Sequence, residues 1–121
     1  MPTTIDLYLA MYTDGPNFKH WALFIDDEEN PMILHIQGSA GNWRYEQRNH
    51  HDPRTSNRFH QMIKVGTIRK SQIQGLVASA MALEIKQTKS NSNCQNWVLD
   101  LIADIDGTLI NISDAAWDSL C

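Results

Sequence analysis

Apolar runs of strand length recur through the first half of the chain, separated by turn-forming clusters. Ile5 to Tyr12 is followed by Asp14-Gly15-Pro16-Asn17, His20 to Ile25 by the stretch Asp26 to Pro31, and a third run covers Met32 to Gln37. Trp43 to Gln47 and Phe59 to Ile68 read as further strands, on either side of a polar stretch, Arg48 to Asn57, expected to be a surface loop. Short strands joined by turns predict an antiparallel sheet. Near residue 70 the period changes. Ser71 can cap a helix in which Ile73, Leu76, Val77, Ala80, Met81, Leu83 and Ile85 fall mostly three and four apart, the spacing of a core-facing stripe. The polar break Thr88 to Asn93 then precedes a second helix, in which Cys94, Trp97, Val98, Leu101 and Ile102 continue the period toward Asp104. A short terminal helix over Ser113 to Leu120 would cover part of the sheet with Trp117. The predicted class is α+β, an antiparallel β-sheet packed against two to three helices.

Alternation within the strands gives the histidines a place. His20, Ala22 and Phe24 share one face of their strand, while Trp21, Leu23 and Ile25 share the other. Both faces are apolar, which predicts a central strand and leaves His20 in need of a polar partner. Ile33, His35 and Gln37 share a face of the next strand, so a hairpin between the two brings His35 alongside His20. Asn93-Cys94 opens the second helix, where the dipole and an imidazole would both lower a thiol pKa. These residues together predict a cysteine–histidine acyl-transfer site.

Length and charge bound what can hold such a site. A chain of 121 residues and 13.8 kDa is enough for one ordinary domain, here residues 1–121, and too short for two. A net charge of −4, with Lys and Arg scattered, argues against a nucleic-acid partner. No run approaches the roughly 20 apolar residues of a membrane helix, so no integral membrane segment is expected. The N-terminus lacks the basic and apolar regions of a signal peptide, which predicts a cytoplasmic protein whose Cys94 and Cys121 are reduced thiols.

His20-Trp21-Ala22-Leu23 on a strand, a second histidine on the next strand, and Asn93-Cys94-x-x-x-Val98 at a helix start resemble the lecithin retinol acyltransferase-like branch of the NlpC/P60 superfamily. The resemblance implies a permuted papain-like fold, in which the histidine strand precedes the cysteine helix. It further implies Cys94 as nucleophile, His20 as general base and His35 as the polar group that orients the imidazole. The activity implied is that of a hydrolase or acyltransferase working through a thioester, with no cofactor and no metal. Asn96-Trp97 departs from the histidine or aromatic pair that the family often carries after its cysteine. Permuted papain-fold isopeptidases acting on ubiquitin-like modifiers share the same order, and a noncatalytic binding or scaffold domain of this fold is the alternative from another class. The Cys94 backbone N–H would be one oxyanion donor, and Tyr8 or Tyr12 could supply the second. Gln37 and Trp43 are candidate walls of a substrate groove. The substrate stays open among a lipid ester, a peptide and a small amide, as does the oligomeric state.

Two other patterns lead elsewhere. Asp104-Ile105-Asp106-Gly107-Thr108 matches the signature of haloacid dehalogenase-like phosphatases, but too little chain follows to build that fold. It reads instead as a helix end with Gly107 as terminator. His50, His51, Asp52 and His60 have metal-binding chemistry without the spacing of a closed site. Their segment is better read as a substrate-recognition loop over a rigid sheet.

Overall fold

The side chains of β1 (Thr4–Thr13) alternate as its sequence requires, with Ile5, Leu7, Leu9 and Met11 on one face and Tyr8, Ala10 and Tyr12 on the other. Four more strands join it: β2 (Lys19–Asp26), β3 (Met32–Gln37), β4 (Arg44–Asn49) and β5 (Phe59–Arg69). All pair antiparallel in one sheet of order β4-β3-β2-β1-β5, with β2 at the centre as its two apolar faces predict. The computed structural model describes residues 3–13, 19–38, 41–86, 93–110, 112, 115, 116 and 118; the side chains of Lys19, Asn93 and Cys94 lie outside this description.

Turn chemistry sets the β2–β3 register. The Asp27 carboxylate accepts the Glu29 backbone N–H at 3.1 Å, and the Asp27 carbonyl accepts that of Asn30 at the same distance. This closure pairs Leu23 with Leu34 and Phe24 with Ile33. On its other side β3 pairs with β4, where Ile33 faces Arg48 and His35 faces Glu46.

Two helices, α1 (Ile73–Ala82) and α2 (Asn93–Ile105), cover one face of the sheet. Trp97, Val98, Leu101, Ile102 and Ile105 of α2 and Leu76 and Ala80 of α1 pack with Leu7, Leu9, Leu23, Ile25, Leu34 and Ile36 in the main core. The opposite face carries a smaller cluster of Ala10, Tyr12, Ala22, Phe24 and Ile33. No helix covers it among the described residues; the loop between β4 and β5 crosses it. Pro53 is buried there, in a 3-10 turn capped by the Asp52 carboxylate, and the Arg54 guanidinium lies 5.5 Å from the Phe24 ring centre. Both faces of β2 are therefore apolar for different reasons, one against helices and one beneath a loop.

Several boundaries differ from expectation. Ser71 does not cap α1, because β5 runs into a 3-10 turn at Lys70–Gln72 that holds Ser71, and Gln72 is the N-cap residue. The helix stops at Ala82, so Leu83 and Ile85 reach the core from beyond its end, while Met81 is 67 % exposed rather than part of the stripe. Trp43 precedes β4 and packs into the main core, because the strand starts one residue later than its apolar pattern implies. Ala115, Ala116 and Asp118 are helical, whereas Trp117 lies outside the described residues.

The Asp104 to Thr108 segment is a helix end. Gly107 has φ of +83°, the Thr108 hydroxyl donates to the Ile105 carbonyl at 3.0 Å, and the Asp106 carboxylate accepts the Ile112 N–H at 2.9 Å. Among the described residues no helix is long and apolar enough to cross a membrane.

Candidate functional site

The pairing of β2, β3 and β4 brings one side chain from each strand into a hydrogen-bonded row on the loop-covered face. His20 Nε2 lies 2.6 Å from His35 Nδ1, with the rings edge to face at 4.9 Å. His35 Nε2 lies 2.9 Å from Glu46 Oε1, its direct cross-strand neighbour. The same carboxylate oxygen accepts from Arg48 Nε at 2.7 Å. His35 is 2 % exposed, so the chain His20–His35–Glu46–Arg48 runs from a half-buried imidazole through the interior to the sheet edge.

Charge along this row decides its protonation. Burial would raise the Glu46 carboxyl, but hydrogen bonds from Arg48 and His35 outweigh it and hold the group below the usual carboxylate value. Burial pushes the His35 imidazole down, against the opposing pull of its bond to Glu46, so its neutral form is favoured. A neutral His35 facing a carboxylate must carry its proton on Nε2 and leave Nδ1 as an acceptor. His20 then donates from Nε2 to that acceptor. The lone pair of His20 in this arrangement sits on Nδ1, the nitrogen turned away from His35.

Tyr12 pairs across the strands with His20, with ring centres 6.0 Å apart. Its hydroxyl is buried without a hydrogen-bond partner among the described residues, and burial, with a smaller contribution from Asp52, raises its pKa to about 12 against the field of Arg48. It keeps its proton at any working pH and is a donor in waiting. Beside these groups opens a cavity of about 190 Å³ whose lining includes Tyr12, His20, His35 and Gln37 from the sheet and Arg48, His51, Ser56 and Arg58 from the crossing loop and its flanks.

Tyr12, His20, His35 and Gln37 are thus assembled as one site. Tyr8 is not part of it: it stacks on Phe24, with centres 6.1 Å apart, four residues from Tyr12 along the same face of β1. Trp43 is not part of it either, since it packs on the helix-covered side of the sheet. Cys94 occupies the first turn of α2, whose next turn brings Trp97 to 5.9 Å from the Tyr45 ring of β4. The Cys94 thiol lies outside the described residues, as does Cys121. The row of histidines and the contacts of α2 fall on opposite faces of the sheet.

Sequence reasoning missed Glu46 and Arg48 as site residues. Their signal was the alternation Arg44, Glu46, Arg48 on one side of an otherwise polar strand. Alternation alone does not say that Glu46 meets His35, because that pairing depends on the length and path of the β3–β4 connection. The polar loop does contribute to the cavity, through His51, while His50 takes a left-handed backbone with φ of 53° and His60 is exposed on β5.

No curated protein and no solved structure matches this chain. A family model does, over residues 7–108, a span that holds the whole sheet row and the cysteine helix. The chain belongs to DUF6540, a family of unknown function.

Proposed function

We propose that the protein is a cysteine-dependent hydrolase or acyltransferase of permuted papain-like fold, with Cys94 as nucleophile and His20 as general base. The observation that carries this reading is the hydrogen-bonded row: Glu46 Oε1 lies 2.9 Å from His35 Nε2 and His35 Nδ1 lies 2.6 Å from His20 Nε2, so a carboxylate anchors the His20 imidazole through a second ring. A buried imidazole could be satisfied by one backbone carbonyl. A carboxylate-anchored pair of imidazoles beside a cavity is the arrangement that stabilises an imidazolium formed during proton transfer.

Trp97 against Tyr45 sets the start of α2 toward the end of the sheet where His20 opens β2, and on this reading the Cys94 sulfur would meet His20 round that end, lose its proton to it and attack the acyl carbon. The new carbon–sulfur bond gives a tetrahedral oxyanion, which the Tyr12 hydroxyl and the first-turn N–H of α2 can stabilise. Collapse breaks the carbon–nitrogen or carbon–oxygen bond. The leaving group takes the proton from His20, and a thioester remains. Water or an acceptor alcohol or amine then gives its proton to His20, adds to the thioester and expels the Cys94 thiolate, which takes that proton back from His20 and so restores the starting state. Glu46 stays ionised throughout and balances the transient charge on His20 through His35.

The test is alkylation by iodoacetamide between about pH 5 and 9, with Cys94 and Cys121 read separately by mass spectrometry, on the wild type and on His20→Ala. An ordinary thiol reacts appreciably only as pH approaches about 8.5. The expected result is labelling of Cys94 near pH 6 that His20→Ala abolishes. A Cys94 no faster than Cys121 at every pH would refute the nucleophile and leave a binding domain.

A further inference from the structure

One oxygen of Glu46 serves two donors. His35 Nε2 lies 2.9 Å from Oε1 and Arg48 Nε lies 2.7 Å from the same atom, so the acceptor that faces the buried imidazole is shared with a guanidinium. Alternation on β4 puts Glu46 and Arg48 on one face, opposite His35 and Ile33 of β3. Exposure rises along the row, from 3 % for the His35 side chain to 31 % for Glu46 and 50 % for Arg48. An ion pair as open as Glu46–Arg48 adds little to the stability of a fold. Its consequence falls on what the carboxylate does to the rings behind it.

A carboxylate alone beside His35 would favour the imidazolium, first of that ring and through it of His20. An imidazolium has no lone pair left to accept a proton. Arg48 works against that outcome in two ways: its charge offsets that of Glu46, and its N–H occupies part of the oxygen that His35 uses. Burial of His35 acts in the same sense as Arg48, while the bond and charge of Glu46 act in the opposite one. The other ionisable groups around the rings leave this balance in place. Tyr12 of β1 keeps its proton, its hydroxyl pushed up to about 12. In the crossing loop Asp52 is held by Arg54 at 2.9 Å, His51 acts on His35 in the same sense as Arg48, and Arg58 lines the cavity.

We propose that Arg48 is a positioning residue of this site: by sharing Glu46 Oε1 with His35 it offsets the carboxylate's pull on the paired rings and keeps His20 a neutral base. This deepens the acyl-transfer reading and rests on it for the word base, since only a neutral His20 can take the proton of a thiol. The two residues of β4 then divide the work. Glu46 orients the ring of His35, and Arg48 limits how strongly the same carboxylate favours a charged ring. A guanidinium suits the second task because it stays charged throughout the range in which imidazoles titrate, so the offset is constant across that range.

The test follows the carbon-bound ring protons of His20 and His35 by NMR in the intact chain, between about pH 5 and 9 at fixed ionic strength. Wild type is compared with Arg48→Gln, Arg48→Met and Arg48→Lys. Two imidazoles in hydrogen-bond contact titrate together, so the quantity read is the midpoint of the first proton that the pair takes up. The expected result is a midpoint higher by about 1 pH unit in Arg48→Gln and Arg48→Met, the scale of one nearby charge, with most of the shift restored in Arg48→Lys. Every other ionisable group is common to the four proteins, so the difference reports Arg48. The two neutral variants stand in for each other should one fail to fold. A midpoint unchanged or lower in them would overturn the proposal, as would an equal shift in Arg48→Lys, which would mark lost packing rather than lost charge. No thiol enters this readout. The expected shift beside an inert Cys94 would defeat the acyl-transfer reading and leave Arg48 in control of ring protonation, whereas a reactive Cys94 with an unmoved midpoint would defeat this proposal alone.

Discussion

His20 and His35 are two ordinary strand residues until Glu46 is placed beneath them; the carboxylate then decides which nitrogen of each ring carries a proton. Glu46→Gln removes that charge and can present an amide donor to His35, which would reverse both tautomers. On the acyl-transfer reading, alkylation of Cys94 at pH 6 should fall by about 100-fold in Glu46→Gln, with Cys121 unchanged as internal control. Tyr12→Phe tests a different step. Its hydroxyl makes no hydrogen bond among the described residues, so its removal should leave the fold and the alkylation rate intact. Turnover of any acyl substrate found should drop by about 100-fold, the scale of one lost oxyanion donor.

At the scale of elements, the row depends on the β3–β4 register, and that register depends on one glycine. Gly38 follows β3 with φ of +134°, and a Cβ there would lie 2.1 Å from the Asn42 carbonyl oxygen. Gly38→Ala therefore meets both a backbone penalty and a clash with main chain, and should cost more than about 1 kcal/mol in urea denaturation. The His35 and Glu46 signals should shift with it, because the connection that sets their pairing is displaced. The helix layer behaves differently. Leu101 of α2 is fully buried against the sheet, and Leu101→Ala should cost about 2–5 kcal/mol through lost contacts and the cavity left behind. It should leave the pairing of β3 with β4 untouched.

For the whole molecule, the buried row links stability to pH. The folded His35 has a pKa below its ordinary 6.5, so between the two values the unfolded chain binds a proton that the folded chain refuses. Its contribution is present above pH 6.5 and is lost as pH falls below it. Glu46, also lowered, contributes above its ordinary value of 4.5 and loses that contribution as pH falls through its folded pKa. The thermal midpoint should therefore decline in two stages on acidification, first below 6.5 and again below 4.5. His35→Gln should remove the first stage, a difference that calorimetry across pH 4 to 7.5 would register. A midpoint equally flat over pH 5 to 7 in both proteins would contradict the neutral, buried state of His35.

The hydrophobic pattern by itself determined the α+β class, the strands, the helix that opens at Asn93-Cys94 and the central place of β2, because burial on one or two faces leaves a periodic trace along the chain. It also carried His35 to the side of His20, since a tight turn at Asp27 to Asn30 leaves little choice of register. Only the tertiary structure decided that Glu46 completes the row, that Tyr12 rather than Tyr8 faces the cavity, and that the loop between β4 and β5 crosses the histidine face. Polar residues on an edge strand and in a loop leave no burial period to read. Their partners are fixed by the path of the backbone between strands, a property of the closed fold rather than of any local stretch of sequence.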